Sequence, residues 1–122
     1  MSSFARKRLL VVEDDLETLE MLEAWAERLG CDTRTVRSGH RALEVGRVFK
    51  PHVVIADYLL DDELTGVDVI IGIRKRSPEV ACVLITGALD QALRESLKRI
   101  HGVIILAKPV NFDRLRHIIA AA

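Results

Sequence analysis

Five short strand-like runs alternate with stretches of helical spacing, and this alternation is the strongest constraint on the fold. Four of the runs are apolar: Leu9–Val12, the run ending at Asp57 (Val53–Ala56), Val80–Ile85 and Val103–Ala107. Runs this short, rich in Val and Ile, read as strands buried on both faces. The remaining run, Cys31–Val36, alternates short and polar residues as an edge strand would. Between the runs, apolar residues recur at helical intervals. Leu16, Leu19, Leu22, Ala26 and Leu29 define a first helix that ends at Gly30. Ser38 or Gly39 starts a second, with Ala42, Leu43, Val45 and Val48 inward. Thr65 is placed to N-cap a third, which runs to about Arg76 with Val67, Val69, Ile70 and Ile73 on its apolar face. Asp90–Ile100 and Asn111–Ala121 supply the last two.

Strand and helix in strict alternation imply a parallel sheet with helices on both faces. Right-handed crossovers leave few topologies. The expectation is an α/β fold, flavodoxin-like and doubly wound: a five-stranded parallel sheet in order 2-1-3-4-5 with five helices. At 122 residues, one domain over residues 1–122 is expected, large enough to bury a core.

In such a sheet, chemistry collects beyond the carboxyl ends of the strands. Those positions here hold Glu13 and Asp14 after the first run, Asp57 after the third, Thr86 after the fourth and Lys108 after the fifth. Three carboxylates in one crevice repel. Two unit charges about 4 Å apart cost on the order of 4 kcal/mol at an effective dielectric of 20. A divalent cation relieves that repulsion, and an all-oxygen site with few protein ligands suits Mg²⁺. A metal, an ammonium and a hydroxyl can together hold three phosphoryl oxygens, while an aspartate can serve as nucleophile. Gly87 leaves room beside the phosphoryl group.

This ordered set resembles the receiver domain of two-component response regulators, and the resemblance covers essentially the whole chain. The family pattern is an acidic pair after strand 1, Asp after strand 3, Thr or Ser after strand 4 and Lys-Pro after strand 5. Here these are Glu13–Asp14, Asp57, Thr86 and Lys108–Pro109. The resemblance implies that Asp57 accepts phosphate from a phosphohistidine on a histidine kinase or histidine phosphotransfer domain. It implies that Asp14, Asp57 and the backbone carbonyl of Leu59 bind Mg²⁺, with Glu13 acting largely through water. It also implies a cis Lys108–Pro109 bond, a homodimer surface on helix 4–strand 5–helix 5 that includes Arg94, Lys98, Arg114 and Arg116, and no enzymatic activity beyond the domain's own phosphorylation and dephosphorylation. The loop DYLLDDELTG and the AKPV segment are similar to the C-terminal receivers of hybrid sensor histidine kinases, whose parent chain would be the kinase. A stand-alone receiver remains the alternative.

The chain departs from the family pattern at three places. Ile105 occupies the position of a switch aromatic, Asp61 replaces a proline, and Gly66 comes about one residue late. Tyr58 reads first as a partly exposed packing residue and second as a stand-in for the missing aromatic. Leu59 and Ala88, the two positions that usually tune hydrolysis, are apolar and cannot orient a water.

Other readings compete with this one. An aspartate-nucleophile phosphatase would usually carry a second acid where Leu59 stands. A cofactor-binding flavodoxin-like module would need a phosphate loop where Glu13–Asp15 stand. A pseudo-receiver used only for interaction would not need the intact set. The 18 basic and 18 acidic residues balance, so no field draws the domain onto nucleic acid or a membrane. The basic triplets Arg6–Arg8 and Arg74–Arg76 read as solvated element ends. Asp15 reads as a helix N-terminal charge, and the four histidines read as solvated surface. Met21 and Trp25, spaced i and i+4, read as boundary core or as a patch for a partner helix. Cys31 and Cys82 show no metal or redox spacing and read as reduced, buried hydrophobes, which fits the cytoplasm. Arg6–Arg8 lead straight into a strand, so no secretory leader is expected. No apolar stretch reaches the roughly 20 residues that a membrane span needs.

Overall fold

The structure is a computed structural model and describes residues 4–122. Five strands and five helices alternate: β1 (Arg8–Val12), α1 (Leu16–Leu29), β2 (Asp32–Val36), α2 (Gly39–Phe49), β3 (Val53–Asp57), α3 (Gly66–Arg74), β4 (Ala81–Thr86), α4 (Gln91–Leu97), β5 (Val103–Ala107) and α5 (Phe112–Ala121). All pairings are parallel, and the order is β2-β1-β3-β4-β5. This is the doubly wound topology that the alternation predicts.

The period of two along each strand sends successive residues to opposite faces of the sheet. Leu10, Val12, Val54, Ala56 and Leu84 enter the core beneath α2, α3 and α4. Leu9, Val11, Val53, Ile55, Val83 and Ile85 enter the core shared with α1 and α5. All five residues of β3 are buried. Each fully buried Leu or Ile contributes roughly 1.5–3 kcal/mol, so the central strands carry much of the fold's stability.

Each helix has its own start signal. Asp15, Ser38, Thr65, Asp90 and Asn111 are N-caps whose side chains accept a backbone N–H of the first turn. Thr65 and Asp68 complete a capping box on α3. Gly30 ends α1 at φ 98°, a left-handed conformation that glycine adopts without steric cost.

Several readings of the sequence are corrected. Val48 is 85% exposed rather than inward. The inward stripe of α2 is Gly39, Ala42 and Gly46, and Val48 lies about 200° around the helix from Gly46. Leu16, the first residue of α1, is also exposed, and the buried stripe of that helix is Leu19, Leu22 and Ala26. β2 starts at Asp32, although Cys31 is buried. α3 ends at Arg74. Arg74 is not a free solvated end, since its guanidinium donates to the carbonyls of His101 and Gly102. Likewise the Arg8 side chain donates to the Lys50 carbonyl, and His52 Nδ1 accepts the Arg8 N–H. Trp25 is partly buried and packs its ring 5.0 Å from that of Phe112, joining α1 to α5. Met21 beside it is exposed.

Candidate functional site

A parallel sheet places all its strand carboxyl ends on one edge, and the register brings the neighbouring ends level. Val12 pairs with Ala56, Asp57 with Ile85, and Thr86 with Ala107. Three backbone bonds then extend the ladder past the strands. Glu13 N–H donates to the Val36 carbonyl, Tyr58 N–H to Ile85, and Lys108 N–H to Thr86. The residues just beyond the sheet are therefore held by main chain, not left on loose loops.

Carboxylate oxygens of Glu13, Asp14 and Asp57 lie within 4.8 Å of one another. Lys108 Nζ reaches across to Asp57 Oδ2 at 3.0 Å and to Glu13 Oε1 at 3.3 Å. A small cavity of about 280 Å³ opens beside Asp57, lined by Leu59, Thr86, Gly87, Ala88 and Lys108 among others. Thr86 is buried, and its hydroxyl donates to the Ala88 carbonyl at 2.8 Å. The Lys108–Pro109 bond is cis, as the sequence reading expects. All the strand-end residues singled out in the sequence thus meet on one edge. Leu59 lines the same cavity, with its side chain 67% exposed.

The site carries more negative charge than one ammonium balances. Burial and the neighbouring Asp57 push the Glu13 carboxyl up to about 7, against the pull of Lys108. Burial works against the Lys108 ammonium, but Asp57 and Glu13 outweigh it and hold its pKa above the ordinary value. Asp15 stands apart from this cluster. Its carboxylate caps α1 through the Thr18 N–H and hydroxyl, and these bonds hold it below its usual range.

Glu13 gives the metal-free protein a pH signature. In the fold it keeps a proton that the unfolded chain releases near 4.5. Its contribution to stability is therefore complete below that pH and is lost as pH rises through about 7. Thermal melts in a chelating buffer should show Tm declining across this window, and Glu13→Gln should flatten the slope. An unchanged slope in that variant would exclude Glu13 as its source.

Several parts of the site were not legible from sequence. The neighbouring Asp14 carboxylate holds the Asp61 carboxyl above its usual range. Arg37 donates to the Asp14 carbonyl at 3.0 Å. The loop after β3 is tied to the start of α2: Asp62 accepts the His40 N–H at 2.9 Å, and the His40 ring contacts Glu63. Tyr58 is 6% exposed, more buried than expected, and its hydroxyl lies 3.1 Å from Ser96 Oγ. These partners are distant in sequence, and no spacing rule links them.

Residues 9–120 match the family model described as the response regulator receiver domain. The chain belongs to the response regulator receiver family. Among relatives of this receiver domain, the response regulator protein PilR of Pseudomonas aeruginosa is 32% identical over 97% of this chain and 26% of its own length. The regulatory protein LuxO of Vibrio cholerae is 34% identical over 87% of this chain and 23% of its own length. The receiver domain thus spans about a quarter of the length of these two relatives. It also superimposes on the receiver domain of a Pseudomonas aeruginosa sensor histidine kinase with a TM-score of 0.83 and 25% identity. That match covers 96% of this chain and 97% of the other, whose active-site cleft coordinates a magnesium ion.

Proposed function

We propose that residues 1–122 form one receiver domain in which Asp57 takes a phosphoryl group from the phosphohistidine of a histidine kinase or histidine phosphotransfer domain. The observation that carries this reading is the Lys108 ammonium 3.0 Å from Asp57, beside three clustered carboxylates. In the transfer, an Asp57 carboxylate oxygen bonds to phosphorus, the phosphorus–nitrogen bond of the donor breaks, and the imidazole departs. Lys108 moves part of its contact from Glu13 to a phosphoryl oxygen. Thr86 turns its hydroxyl from the Ala88 carbonyl to another.

A hard divalent cation fits the donor set, because the carboxylates are all-oxygen ligands whose charge a single ammonium leaves uncompensated. Asp14, Asp57 and the Leu59 carbonyl would hold Mg²⁺, with Glu13 acting through water. Bound there, Mg²⁺ would neutralise charge on the phosphoryl oxygens. The magnesium in the cleft of the sensor-kinase receiver supports this assignment.

The test is treatment with acetyl phosphate and Mg²⁺, followed by intact mass measurement, with a gain of one phosphate expected. The phosphorylated form should be long-lived. Leu59 and Ala88 flank the acceptor, and neither can hydrogen-bond an attacking water through its side chain. Decay within seconds in Mg²⁺ buffer would contradict this.

The segment from Asp57 to Gly66 and the AKPV segment favour a place in a hybrid sensor histidine kinase. The likeness to PilR and LuxO favours a response regulator instead, and sequencing the complete gene decides between them. The free, buried cysteines suit the cytoplasm. No helix among the described residues is long and apolar enough to cross a membrane. The face formed by α4, β5 and α5 is the one proposed for a homodimer, with Arg94, Lys98, Arg114 and Arg116 exposed on it.

A further inference from the structure

Tyr58 is the only tyrosine in the chain and directly follows the acceptor. Its ring is buried in the same core as Val67, Ile70, Leu84 and Leu93. Its main chain is clamped on both sides: the N–H donates to the Ile85 carbonyl at 3.0 Å, and the carbonyl accepts the Gly66 N–H at 2.8 Å. What remains free to change partner is the hydroxyl, which meets Ser96 Oγ on α4.

α4 is lightly held. Leu93 is its one fully buried residue, and Leu97 and Ile100 are partly buried. Polar contacts do the rest on this side: Tyr58 to Ser96, and Arg99 just past α4 to Asp68 on α3 at 3.0 Å. The segment that leads into α4, Gly87–Asp90, is exposed. Its shape depends on the Thr86 hydroxyl, which donates to the Ala88 carbonyl. A Thr86 hydroxyl turned toward a phosphoryl oxygen must release that carbonyl, and the entry to α4 is then free to shift. Ile105 has no polar group with which to register the change and is 38% exposed on β5.

We propose that the Tyr58–Ser96 contact is a latch that holds α4 in the resting arrangement, and that its release is how the state of Asp57 is read in this chain. The proposal rests on Asp57 being the phospho-acceptor. A latch that favours the resting state opposes binding of a phosphoryl mimic, so removing it strengthens that binding.

The experiment uses the full chain with Mg²⁺ and beryllofluoride as the phosphoryl mimic. Affinity is measured by calorimetry, and α4 opening by amide hydrogen exchange. Tyr58→Phe keeps the ring, and Ser96→Ala introduces a better helix former, so both variants keep the fold. Each should bind beryllofluoride about fivefold more tightly, equivalent to about 1 kcal/mol, and exchange faster in α4. The double variant should match either single variant, because both remove the same bond. Unchanged or weaker binding, or additive effects, overturns the latch while leaving the acceptor intact. Failure of the wild type to bind the mimic overturns the receiver reading, and the latch with it.

Discussion

Asp57→Asn should gain no phosphate from acetyl phosphate and Mg²⁺ under conditions in which the wild type gains one. An amide oxygen is a poor nucleophile and cannot form a stable acyl phosphate, so the chemistry is lost rather than slowed. The shape of the site should survive. Asn is isosteric with Asp, and Asp57 is positioned by the β3–β4 ladder, not by its charge. Two electrostatic effects then oppose each other. The variant loses the 3.0 Å contact with Lys108 but also the repulsion exerted by Glu13 and Asp14. Folding stability should therefore fall by less than the roughly 3 kcal/mol that breaking a buried pair costs when nothing offsets it. Intact mass measures the loss of phosphorylation, and denaturant melts measure the net electrostatic effect. A phosphorylated Asp57→Asn protein would remove Asp57 from the acceptor role.

The largest effect on stability should come from Gly66→Ala. A Cβ at this position would stand 2.4 Å from the Asp57 carbonyl oxygen and 2.8 Å from Leu84 Cδ1. Neither neighbour can move cheaply. The Asp57 main chain belongs to the central ladder, and Leu84 is completely buried. Gly66 N–H is also committed to the Tyr58 carbonyl. Overpacking of this kind costs up to about 3 kcal/mol, occasionally more, or roughly 10 °C in Tm for a domain of this size. Relief of the clash would displace Asp57, so divalent-metal affinity should fall with stability. A Tm within about 2 °C of wild type would show that α3 can slide away from β3.

The sequence carried the strand ends well, because periodicity and parallel topology are local rules with a global consequence. Once the sheet is parallel, Glu13, Asp14, Asp57, Thr86 and Lys108 have no other edge to occupy. The Thr65 cap was equally legible, since a capping box spans four residues. Val48 misled because helical spacing identifies a face only when the face is wide. The small residues of α2 seat it close to α3, near Ile73, and narrow that face. Ser96 was invisible for the opposite reason. A serine in a short helix reads as surface, and its partner Tyr58 lies 38 residues away. The position of Asp61 and the loop partners of His40 likewise depend on the path of the segment after β3, which residue spacing does not determine.

The hydrogen bond between Gly66 N–H and the Tyr58 carbonyl closes the intervening segment into a ring whose ends are fixed. A closed loop changes length at small entropic cost, roughly 0.6 kcal/mol per doubling. A change of composition within the ring, such as Asp61 for a proline, therefore leaves the Asp57 main chain on the β3–β4 ladder, although it sets a further carboxyl beside Asp14. Changes between Asp61 and Glu63 should thus spare the Asp57 main chain, whereas changes at Leu59 or Gly66 reach the acceptor directly.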